Sequence, residues 1–218
     1  NLETLTAKSG PDLEKEIYSF DDKSKRKIGL RFDLTVGMAR MIANSDAPRP
    51  VRLACISNMW RYDNPQYARY RSFWQWDAEI YGSVEPEADA EIIALTAAIL
   101  DSLCLDFEIR ISNRKLIEGF LLGVGVNKKN LMDVLRVIDK KSKISEKDLV
   151  KEFKKYSLKD EQIKKILQLC QLTSLKEVKA ALPKNSLAQQ GFRELENLFS
   201  VLNAYNKANK CRLDLSIV

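Results

Sequence analysis

Two runs of alternating character, 51–62 and 71–81, flank the polar segment Asp63-Asn64-Pro65-Gln66-Tyr67-Ala68-Arg69-Tyr70, and this arrangement constrains the chain more than any other feature. Side chains along a strand point to opposite faces with a period of two, so two such runs joined by a polar tip predict a long antiparallel hairpin. In the second run the even positions are Ser72, Trp74, Trp76, Ala78 and Ile80; the odd positions are Arg71, Phe73, Gln75, Asp77, Glu79 and Tyr81. The even set reads as the core face and the odd set as a polar face carrying two aromatics. Any half-exposed antiparallel strand alternates in this way, so the pattern alone carries no function.

The remaining elements group around that hairpin. Residues 28–33 alternate as a strand, and Asp33 then precedes Leu34–Ile42 at helical spacing. Pro86 opens a helix marked by Ile92, Ile93, Leu95, Ile99, Leu100 and Leu103, and Phe107, Ile109 and Ile111 alternate after it. From Asn113 to about Asn206 the spacing is helical throughout. Ser145–Asp148 and Ser157–Asp160 read as variant capping boxes, and Phe192, Leu195, Phe199 and Leu202 mark the last core stripe. Arg212, Asp214 and Ser216 then alternate with Leu213, Leu215 and Ile217, a strand expected to rejoin the first sheet. The chain therefore reads as α+β, with borders at 1–112, 113–206 and 207–218 and the helical block as an insertion.

Composition narrows the chemistry. There is no histidine among the 218 residues, which removes Ser-His-Asp and Cys-His catalysis and histidine metal ligation together. No apolar stretch is long enough to cross a membrane. Cys55, Cys104, Cys170 and Cys211 sit apart among apolar neighbours, which fits buried thiols in a reducing, cytoplasmic setting; no metal-ligand spacing is visible. The net charge of +6 is carried by residues 128–167, where thirteen Lys and Arg face seven Asp and Glu. Such lysines usually form a solvated helical face. The chain starts at Asn1 without methionine and stops at Val218 within an alternating run, so it reads as a fragment.

Candidate ligand residues gather on the hairpin. Arg61 and Asp63 share a period with Ser57 and Met59 and lead into a tip bearing Arg69 and Arg71. Three arginines, an amide and two carboxylates suit a zwitterionic or phosphorylated ligand, because the guanidinium fork matches phosphate and carboxylate oxygens. Isolated carboxylates could hold magnesium through a substrate's phosphates. Asp33, read alone, is best explained as a helix cap.

Leu30-Arg31-Phe32-Asp33-Leu34-Thr35, Trp60-Arg61-Tyr62-Asp63-Asn64-Pro65 and Ala68–Glu79 closely resemble the ordered blocks of class II histidyl-tRNA synthetases of the archaeal and eukaryotic style. The resemblance covers nearly the whole chain: Leu213–Ser216 looks like the strand before the family's Arg-Gly-Leu-Asp-Tyr-Tyr signature, and the helical block lies where the family carries its insertion domain. It implies an incomplete class II antiparallel sheet flanked by helices. It also implies a ligase that forms histidyl-adenylate from histidine and ATP, with magnesium accompanying ATP, and passes the histidyl group to tRNA(His).

On this resemblance Arg61 is the catalytic residue, holding the α-phosphate and the amino-acid carboxylate. Asp63 accepts from the adenine amino group, Phe73 stacks on adenine and Arg69 binds the outer phosphate. Asp33, Thr35 and Gln75 hold the α-ammonium group, and Glu79 reads the imidazole. The Lys-rich insertion would meet the tRNA acceptor end, and the full-length enzyme is expected to be a homodimer. The chain lacks the family's first motif, the Arg-Gly-Leu-Asp-Tyr-Tyr segment, the third motif and the anticodon-binding domain, so it is expected to be catalytically incomplete. Two alternatives stand beside this reading: a non-catalytic synthetase-like regulatory or binding module, and a general basic nucleic-acid-binding domain.

Overall fold

A computed structural model describes residues 2–6 and 15–217. Its contacts divide the chain into two compact units, Asn1–Val84 and Glu85–Val218. The first unit holds a short helix α1 (Leu2–Thr6), a small hairpin of β1 (Ser19–Asp21) and β2 (Lys27–Gly29), helix α2 (Thr35–Ala43), and the long hairpin of β3 (Val51–Trp60) and β4 (Ser72–Tyr81). The second holds α3 (Pro86–Ser102), β5 (Ile109–Ile111), α4 (Arg114–Gly123), α5 (Leu131–Ile138), α6 (Glu146–Lys154), α7 (Asp160–Leu169), α8 (Leu175–Ala181), α9 (Ser186–Ala204) and β6 (Cys211–Leu213).

The long hairpin forms as its alternation predicts, antiparallel over ten residues of each strand from Val51↔Tyr81 to Trp60↔Ser72. Its packing reverses the expected faces. The even set is the exposed one: Trp74 is 73% exposed and Ile56, its neighbour on the same face, 66%. The odd face takes the packing, because Leu34 and Met38 of the α2 segment bury Met59 and lie against Leu53, Cys55, Phe73 and Tyr81. Both faces carry apolar residues, so alternation alone could not say which one a helix would cover.

Three other expectations are corrected. The strand predicted over 28–33 ends at Gly29, and residues 30–33 run on as a separate extended segment, with Trp60 donating from its backbone N–H to the Arg31 carbonyl at 2.9 Å. The last strand pairs with β5 in parallel, not with the hairpin, and stops at Leu213 because the Asp214 carboxylate accepts from the Ser216 N–H and hydroxyl and turns the chain. Ser157 does not cap a helix. It sits at φ 59 in the left-handed region, and α7 starts after Lys159, whose N–H donates to Gln162 Oε1.

Ser145 does cap α6, accepting from the Asp148 N–H, but its hydroxyl meets the Asp148 carboxylate in place of the reach-back bond of a full box. A full box is found at Ser174 and Glu177, which open α8. Of the cysteines, all free, Cys170 alone is buried and Cys104 is exposed.

Phe192, Leu195 and Leu202 line the buried side of α9 as their spacing predicts, together with Leu198, while Phe199 is half-buried. Helices α4 and α9 touch backbone to backbone. A Cβ on Gly119 would lie 2.2 Å from Ala188 N, and one on Gly191 would lie 2.3 Å from Leu116 N. Only hydrogen at both positions permits that approach. Among the described residues no helix is long and apolar enough to cross a membrane.

Candidate functional site

The antiparallel register brings the candidate residues to one face. Leu53↔Glu79, Cys55↔Asp77, Ser57↔Gln75 and Met59↔Phe73 are direct pairs, so odd residues of both strands share a side. Arg61 extends the ladder one step past β3 by donating from its N–H to the Arg71 carbonyl at 3.0 Å.

Arg61 is half-buried and held on two sides: its Nε donates to the Phe32 carbonyl at 3.0 Å and its Nη2 to Gln75 Oε1 at 3.1 Å. Its guanidinium carbon lies 5.2 Å from the centre of the Phe73 ring. Among the described residues nothing accepts from Nη1, which leaves that arm for an anionic oxygen of a ligand. Gln75 is fixed in orientation. Its oxygen faces Arg61, and its Nε2 donates to Asp77 Oδ1 and Oδ2 at 3.0 and 2.9 Å.

Farther along the strand Glu79 accepts at both oxygens. Thr35 Oγ1 donates to Oε1 at 2.5 Å, and the Tyr81 hydroxyl donates to Oε2. The Tyr81 phenol is pushed well above its ordinary range, first by burial, then by the bond to Glu79, and then by the charges of Glu79, Asp33 and Asp77. It therefore stays a proton donor at neutral pH, and the three carboxylates acting on it belong to one electrostatic neighbourhood. Asp33 itself accepts from the Val36 N–H at 3.1 Å, the cap that its position predicts.

At the tip, Asp63 and Arg69 pair bidentately at 3.1 Å through both guanidinium arms. Arg71 braces the turn, donating from Nε to the Asp63 carbonyl at 2.9 Å and stacking over Tyr62 at 4.2 Å. The structure thus links Arg61 with Phe73, Gln75 and Asp77, and Glu79 with Thr35 and Tyr81, while Asp63 and Arg69 form a separate pair at the tip. Sequence reasoning gave no role to Tyr81 or Asp77, although their odd positions on β4 were the signal that would have found them. No grouping of three or more Cys, Asp or Glu that could hold a metal ion occurs among the described residues.

Solved structures share this architecture. Histidyl-tRNA synthetase from Nostoc sp. PCC 7120 superposes with TM-score 0.84 at 26% identity, over 99% of this chain and 51% of that one. A Bacillus halodurans structure titled as an ATP phosphoribosyltransferase regulatory subunit/histidyl-tRNA synthetase gives TM-score 0.82 over 94% of this chain and 54% of its own, at 24% identity, a likeness of fold alone. The fold is thus that of the class II synthetases. Sequence comparison is more specific: the model of the histidyl-tRNA synthetase family matches residues 1–218, and the chain belongs to that family. Histidine–tRNA ligases of Thermococcus kodakarensis and Pyrococcus horikoshii are 36% and 35% identical over 99% and 96% of this chain. The chain spans about half the length of the curated relatives it matches.

Proposed function

We propose that this chain carries the central part of a histidine–tRNA ligase, the segment that binds histidine and ATP and supports formation of histidyl-adenylate with release of pyrophosphate, before transfer to tRNA(His). The observation that carries the reading is the odd face of the long hairpin, where the Arg61 guanidinium, just past β3, bonds the oriented amide of Gln75, and the doubly bonded carboxylate of Glu79 stands four residues farther along β4.

The chemistry fits each position. Arg61, with one arm free, would draw together the α-phosphate of ATP and the carboxylate of histidine and offset the charge that grows as the carboxylate attacks phosphorus. Gln75 Oε1, with Asp33 and Thr35, offers oxygen acceptors to an α-ammonium group. Glu79, already accepting from Thr35 and Tyr81, would take a further bond from an imidazole N–H; a ligand without that donor forgoes a charge-assisted hydrogen bond, which is a basis for rejection. For ATP to bind, the Asp63–Arg69 pair would part, Arg69 turning to the outer phosphate and Asp63 to the adenine amino group, with adenine stacked on Phe73. Magnesium would arrive on the phosphates of ATP.

The helical block 113–206 would be an insertion that meets the acceptor end of the tRNA, the full-length protein a homodimer, and its setting the cytoplasm. The test is whether a non-hydrolysable histidyl-adenylate mimic raises the melting temperature of the chain, since a ligand at 100 times its Kd stabilises by about 2.7 kcal/mol. No shift overturns the site assignments. Histidine-dependent exchange of pyrophosphate into ATP then separates a ligase from a non-catalytic module of the same fold, which would bind the mimic without exchange.

A further inference from the structure

Two ligand-sized depressions in the Glu85–Val218 unit are rimmed by basic side chains, and their charge balance differs. The larger, about 530 Å³, is lined by Arg114, Arg136, Lys140 and Lys143 around Met132 and Leu135. Each of those four cations already has a carboxylate: Glu118 at 2.7 Å, Asp133 at 3.1 Å, Glu152 at 3.3 Å and Asp139 at 3.0 Å. An anion entering there would compete with an existing partner at every position.

The second, about 470 Å³, lies where the turn at Gly125, the segment Asn127–Asn130 and the α6–α7 turn converge, with Lys129 and Lys155 in its wall. Among the described residues Lys129 has no carboxylate partner, and neither do Lys128 and Lys159, which are next in sequence to wall residues. Lys155 bonds Glu152, but that one carboxylate is shared with Lys140. Two further acids follow the wall residue Leu158 in sequence: Asp160 is held by Lys154 at 3.0 Å, and Glu161 feels the charge of Lys159 yet is held by Lys165 at 2.8 Å. Lys128, Lys129 and Lys159 thus leave positive charge uncompensated in and beside this depression.

Its walls are also fixed in advance. Gln162 donates from Nε2 to the Val124 carbonyl at 2.9 Å while accepting from the Lys159 N–H at 2.9 Å, and Asn130 Nδ2 donates to the Tyr156 carbonyl at 3.3 Å. These amides tie separate loops together without engaging Lys129 or Lys155, so binding would order little beyond the Lys129 tail and a Lys155 side chain already turned to Glu152. From this we infer that the depression beside Lys129 and Lys155 is a phosphate-binding cleft, through which the helical unit holds the sugar-phosphate backbone of RNA. It rests on the proposed tRNA reading and deepens it, by choosing which basic face of the insertion makes the contact.

The test compares two variants of the whole chain that remove equal charge from the two depressions, Lys129→Gln with Lys155→Gln, and Arg136→Gln with Lys143→Gln. The probe is a synthetic RNA acceptor-stem hairpin with a 3′ CCA end, titrated at several salt concentrations. All four side chains are exposed, and unchanged melting temperatures verify that both variants fold. The first variant is expected to lose affinity by about tenfold and to flatten the salt dependence by about one unit of log–log slope per lysine, while the second stays within about twofold of the unmodified chain. Equal losses in both variants, or a larger loss in the second, overturn the cleft while leaving RNA binding intact. Failure of the unmodified chain to bind the hairpin overturns the tRNA reading itself, and the cleft with it.

Discussion

The hairpin unit and the helical unit use apolar residues in opposite ways. In the helical unit α4, α5, α6, α7 and α9 close around a continuous core in which Phe153, Leu116, Val134 and Leu202 are completely buried. In the hairpin unit a far smaller cluster, Leu34, Met38 and Met59, anchors one helix to one sheet face, and the rest of that face is given to polar groups bonded to one another. A core side chain of the helical unit is held by packing from all sides. A polar side chain on the hairpin face is held by one or two hydrogen bonds, and so it can exchange a protein partner for a ligand.

That contrast can be broken most sharply at Gly191. Gly191→Ala would drive a methyl group into the backbone of α4, and a loss of about 3 kcal/mol in urea unfolding is expected, because backbone cannot swing aside as a side chain does. Arg61→Ala should do the reverse, leaving unfolding nearly unchanged while affinity for the histidyl-adenylate mimic, measured by calorimetry, falls by roughly a hundredfold.

The helical core also carries a pH signature. Burial pushes the Cys170 thiol up to about 11 against an ordinary value of 9.0, with opposing help from nearby Lys141. The folded state therefore favours the neutral thiol. Its contribution is complete below pH 9 and is lost as pH rises towards 11, an alkaline loss of about 2–3 kcal/mol that Cys170→Ala should lack in unfolding curves across that range. The smallest effect concerns the hairpin face. Tyr81→Phe removes one of the two donors on Glu79, and affinity for the mimic should fall by about fivefold to tenfold with little change in melting temperature.

How much was legible in the sequence follows the same division. Helical spacing located α3 and α9, but it marked the buried residues of α9 alone: Phe192, Leu195 and Leu202 are covered, whereas α3 buries Ala90 and Ala97 and leaves Leu95 and Leu103 exposed. The hairpin strands were legible from their alternation, but their register and the buried face were not: Trp74 and Trp76 are larger and more apolar than Gln75 or Glu79, yet they are exposed and α2 covers the other side. The candidate residues were legible mainly through their order along the chain, which resembles a family. Their mutual bonds were not, since only coordinates show that the oxygen of Gln75 faces Arg61 and that Glu79 already holds two donors. The turn at Asp214 and the left-handed Ser157 were missed because each depends on a single local geometry that spacing does not encode.

Because Phe73, Gln75, Asp77, Glu79 and Tyr81 occupy alternate positions of one strand, they behave as a block. One residue inserted or deleted inside β4 would rotate every later member of the set to the far side of the sheet and bring tryptophan or alanine round in its place. A residue added at the tip, between Gln66 and Arg69, which bond each other across the turn, would leave the strands aligned. Descent with modification should thus be free to reshape the loop, while β4 admits exchanges of letters but not changes in their number.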